Sequence, residues 1–432
     1  MKKLNFQPSL SVLSAMMIGM TSLPTLASET LTAEVEQLRQ EVRELRALIA
    51  QQAQTQQTVQ QTQQQLVSQI ETAKTAQVNS PALKTVSGSD FKVYGNVRLD
   101  ASYQVEGGAA TIHPYNQINR VALDGVNENS DQFKTTLAAT RLGLDFKTPV
   151  GEDSISGKVE VDFLGGANLD NLRIRHAYFN YGNWLLGQTW SNFAVPDYMP
   201  ETIDALAFVG GAVKRTPQAR YQFDLQPTTK VFVALEDPKD GSIKQRLPAL
   251  TARLNHSFAD NAGIISVRGM LHEKKITQDD TVAWGTGIGI KYNVMPDTTL
   301  KADYYHVKGD SSFVSWTNSG IVEKAGRIAS ENEFDSITLG VTQQLNPKLR
   351  ATLGYGYMKA DVDQDYKNAV VDLTAVNKEL WQAWANVFYS PTKPISLGLE
   401  YVYGEREAVG KAANGSQTGE DNRVNAVAIY NF

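Results

Sequence analysis

Two periods divide the chain. From Leu31, apolar residues recur at alternating steps of four and three, at Leu31, Val35, Leu38, Val42, Leu45 and Ile49, and again in frame at Val59, Leu66 and Ile70. This is the seam of a heptad coiled coil. With leucine at d and Val or Ile at a, Glu34 and Glu41 fall at g and Arg39 and Arg46 at the following e, so each acid can meet a base on a neighbouring helix. The seam therefore predicts an oligomer. Gln52, Gln56 and Gln63 occupy seam positions, and for residues 50 to 65 a solvated single helix or a Gln/Thr linker is the competing reading. Pro81 and Ser87-Gly88-Ser89 end the helix and supply a linker over residues 81–90.

From Phe91 the period becomes two. Phe91, Val93, Gly95, Val97, Leu99 and Ala101 alternate with Lys92, Tyr94, Asn96, Arg98 and Asp100, an apolar face against a charged one. About sixteen such segments follow one another, starting near residues 91, 134, 154, 171, 183, 216, 229, 249, 263, 284, 298, 334, 348, 378, 394 and 421. Their connections alternate in length. Short turns fall at Thr148-Pro149-Val150-Gly151, Tyr181-Gly182-Asn183, Gln226-Pro227-Thr228, Ala259-Asp260-Asn261, Met295-Pro296-Asp297, Asn346-Pro347 and Ser390-Pro391-Thr392-Lys393-Pro394. Long polar loops fill 106–133, 165–170, 191–214, 237–248, 274–283, 309–333, 361–377 and 407–420. Short turns on one side and long loops on the other are the habit of an outer-membrane barrel. Aromatic residues at strand ends on the apolar face, such as Tyr292, Trp381, Tyr389, Tyr401 and Tyr403, suit its interfacial girdles. The last strand carries Val424, Ala426, Ala428 and Tyr430 on the face of Phe432, like the terminal strand of such barrels. The predicted fold is all-β: a sixteen-stranded antiparallel transmembrane β-barrel over residues 91–432, preceded by an N-terminal α-helical coiled coil over 28–80.

The first 27 residues read as a secretory signal peptide. Lys2 and Lys3 precede an apolar stretch from Leu10 to Leu23, and Thr25-Leu26-Ala27 forms a small-residue cleavage site before Ser28. The chain is thus expected in the bacterial outer membrane, with its stalk in the periplasm. Composition adds little beyond exclusions. With no cysteine, disulfides, thiolate metal sites and a lipobox are out. The 41 Lys+Arg and 46 Asp+Glu give a net charge of −5, which argues against a nucleic-acid partner. Loss of the two leader lysines leaves 39 bases against 46 acids, near −7.

Several stretches carry a family resemblance. They are the stalk from Leu31 to Ile49, Arg173-Ile174-Arg175-His176-Ala177-Tyr178, Gly187-Gln188-Thr189-Trp190-Ser191, and the terminal Phe432. With them the full length resembles the DcaP-like porins of Gram-negative outer membranes, and the barrel resembles a sixteen-stranded trimeric porin. The resemblance implies a homotrimer, N-terminal helices joined as a periplasmic coiled coil, and passive diffusion of small anionic solutes such as dicarboxylates. It also implies that the third long loop, 191–214, folds into the barrel. That loop is less polar than an exposed one should be: Phe193, Val195, Ile203, Leu206 and Phe208 need burial.

If the apolar face meets lipid, the opposite face carries a basic arc: Arg98, Arg141, Lys147, Lys158, Arg173, Arg175, Arg220, Arg253 and Arg268. Asp100, Asp145, Glu160, Asp162, Asp224, Glu236 and Asp303 share that face, so some of the bases must be paired as struts. Arginine offers a flat, permanently charged fork that matches a carboxylate. Arg173 and Arg175, about 7 Å apart along one strand, could span one dianion. In the loop, Asp197, Glu201 and Asp204 would face the arc and set a transverse field. The acids favour cations and the arc favours anions; screening over about 8 Å makes the local arc the better guide.

Other chemistry is poorly served. His113, His176, His256, His272 and His306 show no metal-ligand spacing, and no Gly-x-Ser-x-Gly elbow occurs. Gly285-Thr286-Gly287-Ile288-Gly289 continues as a strand, so small lumen-facing residues explain it better than a phosphate loop. No enzyme, cofactor or metal is expected. A different class remains open: a structural tether whose stalk joins the outer membrane to peptidoglycan or a periplasmic protein.

Overall fold

The computed structural model describes residues 88–432. The expected leader (1–27), the expected stalk (28–80) and most of the expected linker (81–90) lie outside these residues. In chain order the strands are β1 (Asp90–Gly107), β2 (Gln132–Thr136), β3 (Arg141–Val150), β4 (Asp153–Gly165), β5 (Asn171–Tyr181), β6 (Trp184–Trp190), β7 (Arg215–Gln226), β8 (Thr229–Glu236), β9 (Ala249–Phe258) and β10 (Gly263–Lys275). There follow β11 (Asp280–Met295), β12 (Thr298–Lys308), β13 (Ile321–Lys324), β14 (Arg327–Glu331), β15 (Glu333–Asn346), β16 (Leu349–Asp361), β17 (Asn377–Thr392), β18 (Ile395–Ala408) and β19 (Thr418–Asn431).

Every strand of the main sheet pairs antiparallel with its neighbours, and β1 pairs with β19 to close it. Gly95 and Phe432 seal the seam by exchanging two backbone hydrogen bonds of 3.1 Å. β2 and β3 are two halves of one barrel strand, so the barrel has sixteen. Between them the Thr140 hydroxyl accepts from the Arg98 amide (3.0 Å) and donates to its carbonyl (3.3 Å), replacing the missing ladder bonds. β13 and β14 form a separate hairpin inside the loop that follows β12.

The alternation read from β1 holds: Phe91, Val93, Val97 and Leu99 are exposed on the outside, while Asp100 is buried on the inner face. The seven expected turns sit at 151–152, 182–183, 227–228, 259–262, 296–297, 347–348 and 393–394. One long loop is corrected. The expected loop 274–283 is only 276–279, because β10 and β11 stay paired out to Lys275 opposite Asp280. The polar residues there are ladder positions above the apolar band, and polarity alone read them as loop.

The apolar core lies inside the barrel, beneath the long loops. Phe193, Val209 and Ala212 of the third loop pack there with Ile118 and Val121 of the first loop and Phe313 and Val314 of the sixth. At about 25 cal/mol per Å² of apolar surface withdrawn from water, such a plug holds the loops as one body.

Candidate functional site: the lumen and its inward loop

The third loop enters the barrel as the apolar count demands. Phe193, Val195, Ile203 and Phe208 are at most 2% exposed. Leu206 is half-buried, against Tyr115, Ala138 and Leu164. Its root is held where the Ser191 amide donates to the Lys214 carbonyl (3.0 Å) and the Asn192 amide to Glu236 (2.8 Å). Buried Glu236 also accepts from Thr216 and Thr251. The loop then lies along β11 to β19. Small residues make room for it: a Cβ on Gly289 would overlap the ring of Tyr198, and one on Gly356 would overlap the carbonyl of Val209. The glycine run at 285–289, expected as small lumen-facing residues of a strand, lies in β11 and takes Phe193 and Tyr198 of the loop against Gly285 and Gly289. Gly356→Leu should lift the loop off the wall at a cost of about 1–3 kcal/mol. The expected result is a lower thermal midpoint of the barrel and faster proteolysis within 191–214; an unchanged midpoint would show that this contact does not hold the loop.

The loop acids find partners that the sequence reading did not name. Glu201 makes a two-pronged ion pair with Arg350, both bonds 2.7 Å. Asp204 lies 3.2 Å from Arg423 and accepts the amides of Asn116 and Leu206, both at 2.8 Å. Burial pushes the Asp204 carboxyl up to about 7 even beside Arg423. Of the three acids, exposed Asp197 alone forms an ion-pair contact with an arc base, 3.9 Å from Arg253 and without a hydrogen bond; Asp204 acts on Arg98 only from farther off. This corrects the expectation that Asp197, Glu201 and Asp204 all oppose the arc. Arg350 and Arg423 stand on the wall that the loop covers, and they neutralise its tip.

The arc itself divides in two. One part is strutted. Arg98 holds Asp100 (2.6 Å) and donates to the Ile203 carbonyl of the loop. Arg173 and Arg175 both grip Asp162, at 2.7 and 2.8 Å, and Arg175 also binds Glu160 at 2.6 Å. Arg268 is fully buried against Asp303 and Tyr305. Lys158 joins Asp145 at 3.0 Å and the Tyr94 hydroxyl at 2.8 Å. A bulge in β5 sets Glu160 opposite His176 but Val161 opposite Ile174, which makes Arg175 the extra residue. Strict alternation would have turned His176 outward; it is buried, bonded to Thr189 at 3.0 Å.

The other part carries its charge unspent. Among the described residues, Arg141, Arg220 and Arg253 donate no hydrogen bond to a carboxylate. Arg220 and Arg253 pack on the Phe232 ring, at 5.6 and 4.6 Å. Arg215, at the junction of the loop and β7, packs 4.4 Å from the Trp190 ring and has Arg175, Arg173 and Arg141 as like-charged neighbours. The sequence reading missed Arg215 because it begins a strand, and Arg350 and Arg423 because it followed the arc over nine strands only; the alternation of β16 and β19 marks the last two as inward.

One cluster of metal-binding type forms from separate segments. Asp240, His272 and Asp310 bring ligand atoms within 4.8 Å of one another. The Lys274 ammonium lies 2.5 Å from both aspartates, where a cation would sit.

An apolar exterior, a charged lumen and an inward loop on a closed sixteen-stranded barrel define an outer-membrane channel of the porin class. The sequence matches the model of the DcaP outer membrane protein family over residues 24–432, and the chain belongs to that family. The outer membrane channel DcaP of Acinetobacter baumannii is 38% identical, with a TM-score of 0.73 over 82% of this chain and 100% of that one. More distant barrels share the fold. OmpT of Vibrio cholerae is 14% identical (TM-score 0.53; 81% of this chain, 100% of that one). An anion-selective porin from Comamonas acidovorans is 11% identical (TM-score 0.52; 80% and 100%). No curated protein sequence matches. Family and fold are those of membrane channels rather than enzymes.

Proposed function

We propose that this channel passes small anionic solutes, dicarboxylates among them, passively down their gradient, as a homotrimer whose 28–80 segment forms a coiled-coil stalk in the periplasm. One observation carries the anion reading: four guanidiniums, Arg141, Arg215, Arg220 and Arg253, lie without a carboxylate hydrogen bond, while two of the three loop acids are bound to Arg350 and Arg423. The assignment of solute binding to the arc thereby moves from Arg173 and Arg175, which are already occupied by Asp162, to these four. Association is supported by the heptad seam, and the threefold order by OmpT of Vibrio cholerae, a barrel of the same fold that has been solved in a trimer form. Neither catalysis nor a cofactor is needed for the transport.

The reversal potential of the reconstituted protein in a KCl gradient tests the sign. An anion-selective value is expected. A cation-selective value would assign control to Asp197 and the other exposed acids, and the reading would fall.

A further inference from the structure

Above the inward loop, the long loops enclose a second charged site. A pocket of about 530 Å³ opens between loop 108–131, loop 309–332 and loop 362–376. Its volume suits a small ligand. Its floor is Arg406 of β18, only 6% exposed. The guanidinium donates to neutral oxygens alone: Asn377 Oδ1 at 2.9 Å, the Thr374 carbonyl at 3.0 Å and the Asn119 carbonyl at 3.4 Å. Its Nε has no partner. A buried charge normally has a counter-ion, because removal from water is costly. Here, among the described residues, no carboxylate supplies it. Asp372 is the charged group that acts on Arg406, but it stands at the exposed edge and is spent on the Thr374 amide and hydroxyl. A second base, Arg120, lines the pocket from its exposed rim, while Val322, Val370 and Val376 supply an apolar flank.

We propose that this pocket is a capture site for small carboxylates that carry an apolar body. The carboxylate completes the charge balance of Arg406 together with Arg120, and the body lies on the valines. The site is separate from the four-arginine zone and leads toward it. An adjoining cavity of about 280 Å³ shares Asn119 and Thr317 with the pocket and reaches Lys214. Lys214 precedes Arg215, the first of those four guanidiniums. A captured anion therefore meets a base at each step of its descent: Arg120 and Arg406, then Lys214, then Arg215. The proposal rests on the channel reading but not on the sign of the narrow zone.

The test is current block in planar bilayers by benzoate, added from the long-loop side, with acetate as the probe that lacks the body. Benzoate should interrupt the KCl current at lower concentration than acetate, with shallow voltage dependence because the site is near the mouth. Arg406→Gln should raise the half-blocking concentration about tenfold, the worth of one charge-assisted contact, and Arg406→Lys should retain most of the block. Ser319→Trp, at an exposed residue of the pocket wall, should weaken the block without touching a buried charge. The KCl reversal potential should not move in any of them. Benzoate block that is absent in the wild type, or unchanged by Arg406→Gln and Ser319→Trp, overturns the site. So does an Arg406→Gln channel whose reversal potential shifts along with the block, since Arg406 would then act through the general field. A cation-selective wild type that still loses benzoate block in Arg406→Gln would remove the anion-channel reading and leave this site standing.

Discussion

A channel carrying Arg141→Gln, Arg215→Gln, Arg220→Gln and Arg253→Gln together should lose its anion preference and turn cation-selective in a KCl gradient. At about 7 Å in water one unit charge is worth about 0.6 kcal/mol, reduced to about 0.25 kcal/mol by screening at physiological salt. Four charges amount to about 1 kcal/mol. That enriches anions about fivefold and depletes cations by the same factor, so removal should change the permeability ratio by more than tenfold. The remaining inner surface keeps exposed Asp197, and the cation preference should grow as salt is lowered. Retained anion selectivity in the fourfold variant would move the filter elsewhere in the lumen.

The physical reason for choosing these four is that no carboxylate on the wall takes a hydrogen bond from them, and three of them are packed on rings. An arginine bound to a carboxylate on its own wall presents little field to a passing ion. An arginine laid on an aromatic ring keeps its full charge while its side chain is held in place. Phe232 serves Arg220 and Arg253, and Trp190 serves Arg215. A ring alone does not mark a free charge, since Arg268, Arg350 and Arg423 also lie on rings while each is ion-paired; the free charges are those with no carboxylate bond.

Much of this architecture was legible in the residues. Alternation placed the sixteen strands, the turns and the inner face, because lipid outside and water inside impose opposite demands on alternate positions. The apolar content of 191–214 predicted its burial. Which arginines remain free was not legible, since pairing depends on neighbours across the sheet. Asp162 lies opposite Arg173 in register and reaches Arg175 only because of the bulge, and a bulge leaves no trace in a period of two. Arg350 and Glu201 are 149 residues apart, and nothing local links them. The same holds for Asp240, His272, Lys274 and Asp310, which three segments bring together.

Arg175→Gln should destabilise the barrel rather than weaken solute binding. Arg175 is 5% exposed and its removal leaves Glu160 without its 2.6 Å partner and Asp162, itself 0% exposed, without one of its two. Breaking a buried ion pair from one side costs about 3–5 kcal/mol. Arg173→Gln should cost less, because the Arg173 side chain is 29% exposed and Arg175 still holds Asp162. The thermal midpoint of the folded barrel reads both. Glu160→Gln in the Arg175→Gln background should recover part of the loss, because it removes the stranded charge, whereas in the wild type the same change should be destabilising. The opposite pattern, an unchanged midpoint with lost affinity for a dicarboxylate, would return Arg173 and Arg175 to the role their spacing first suggested. It would mean that the solute displaces Asp162 from its two arginines. A solute carboxylate would then have to outcompete one already held in place, at an effective concentration that a free ligand seldom matches.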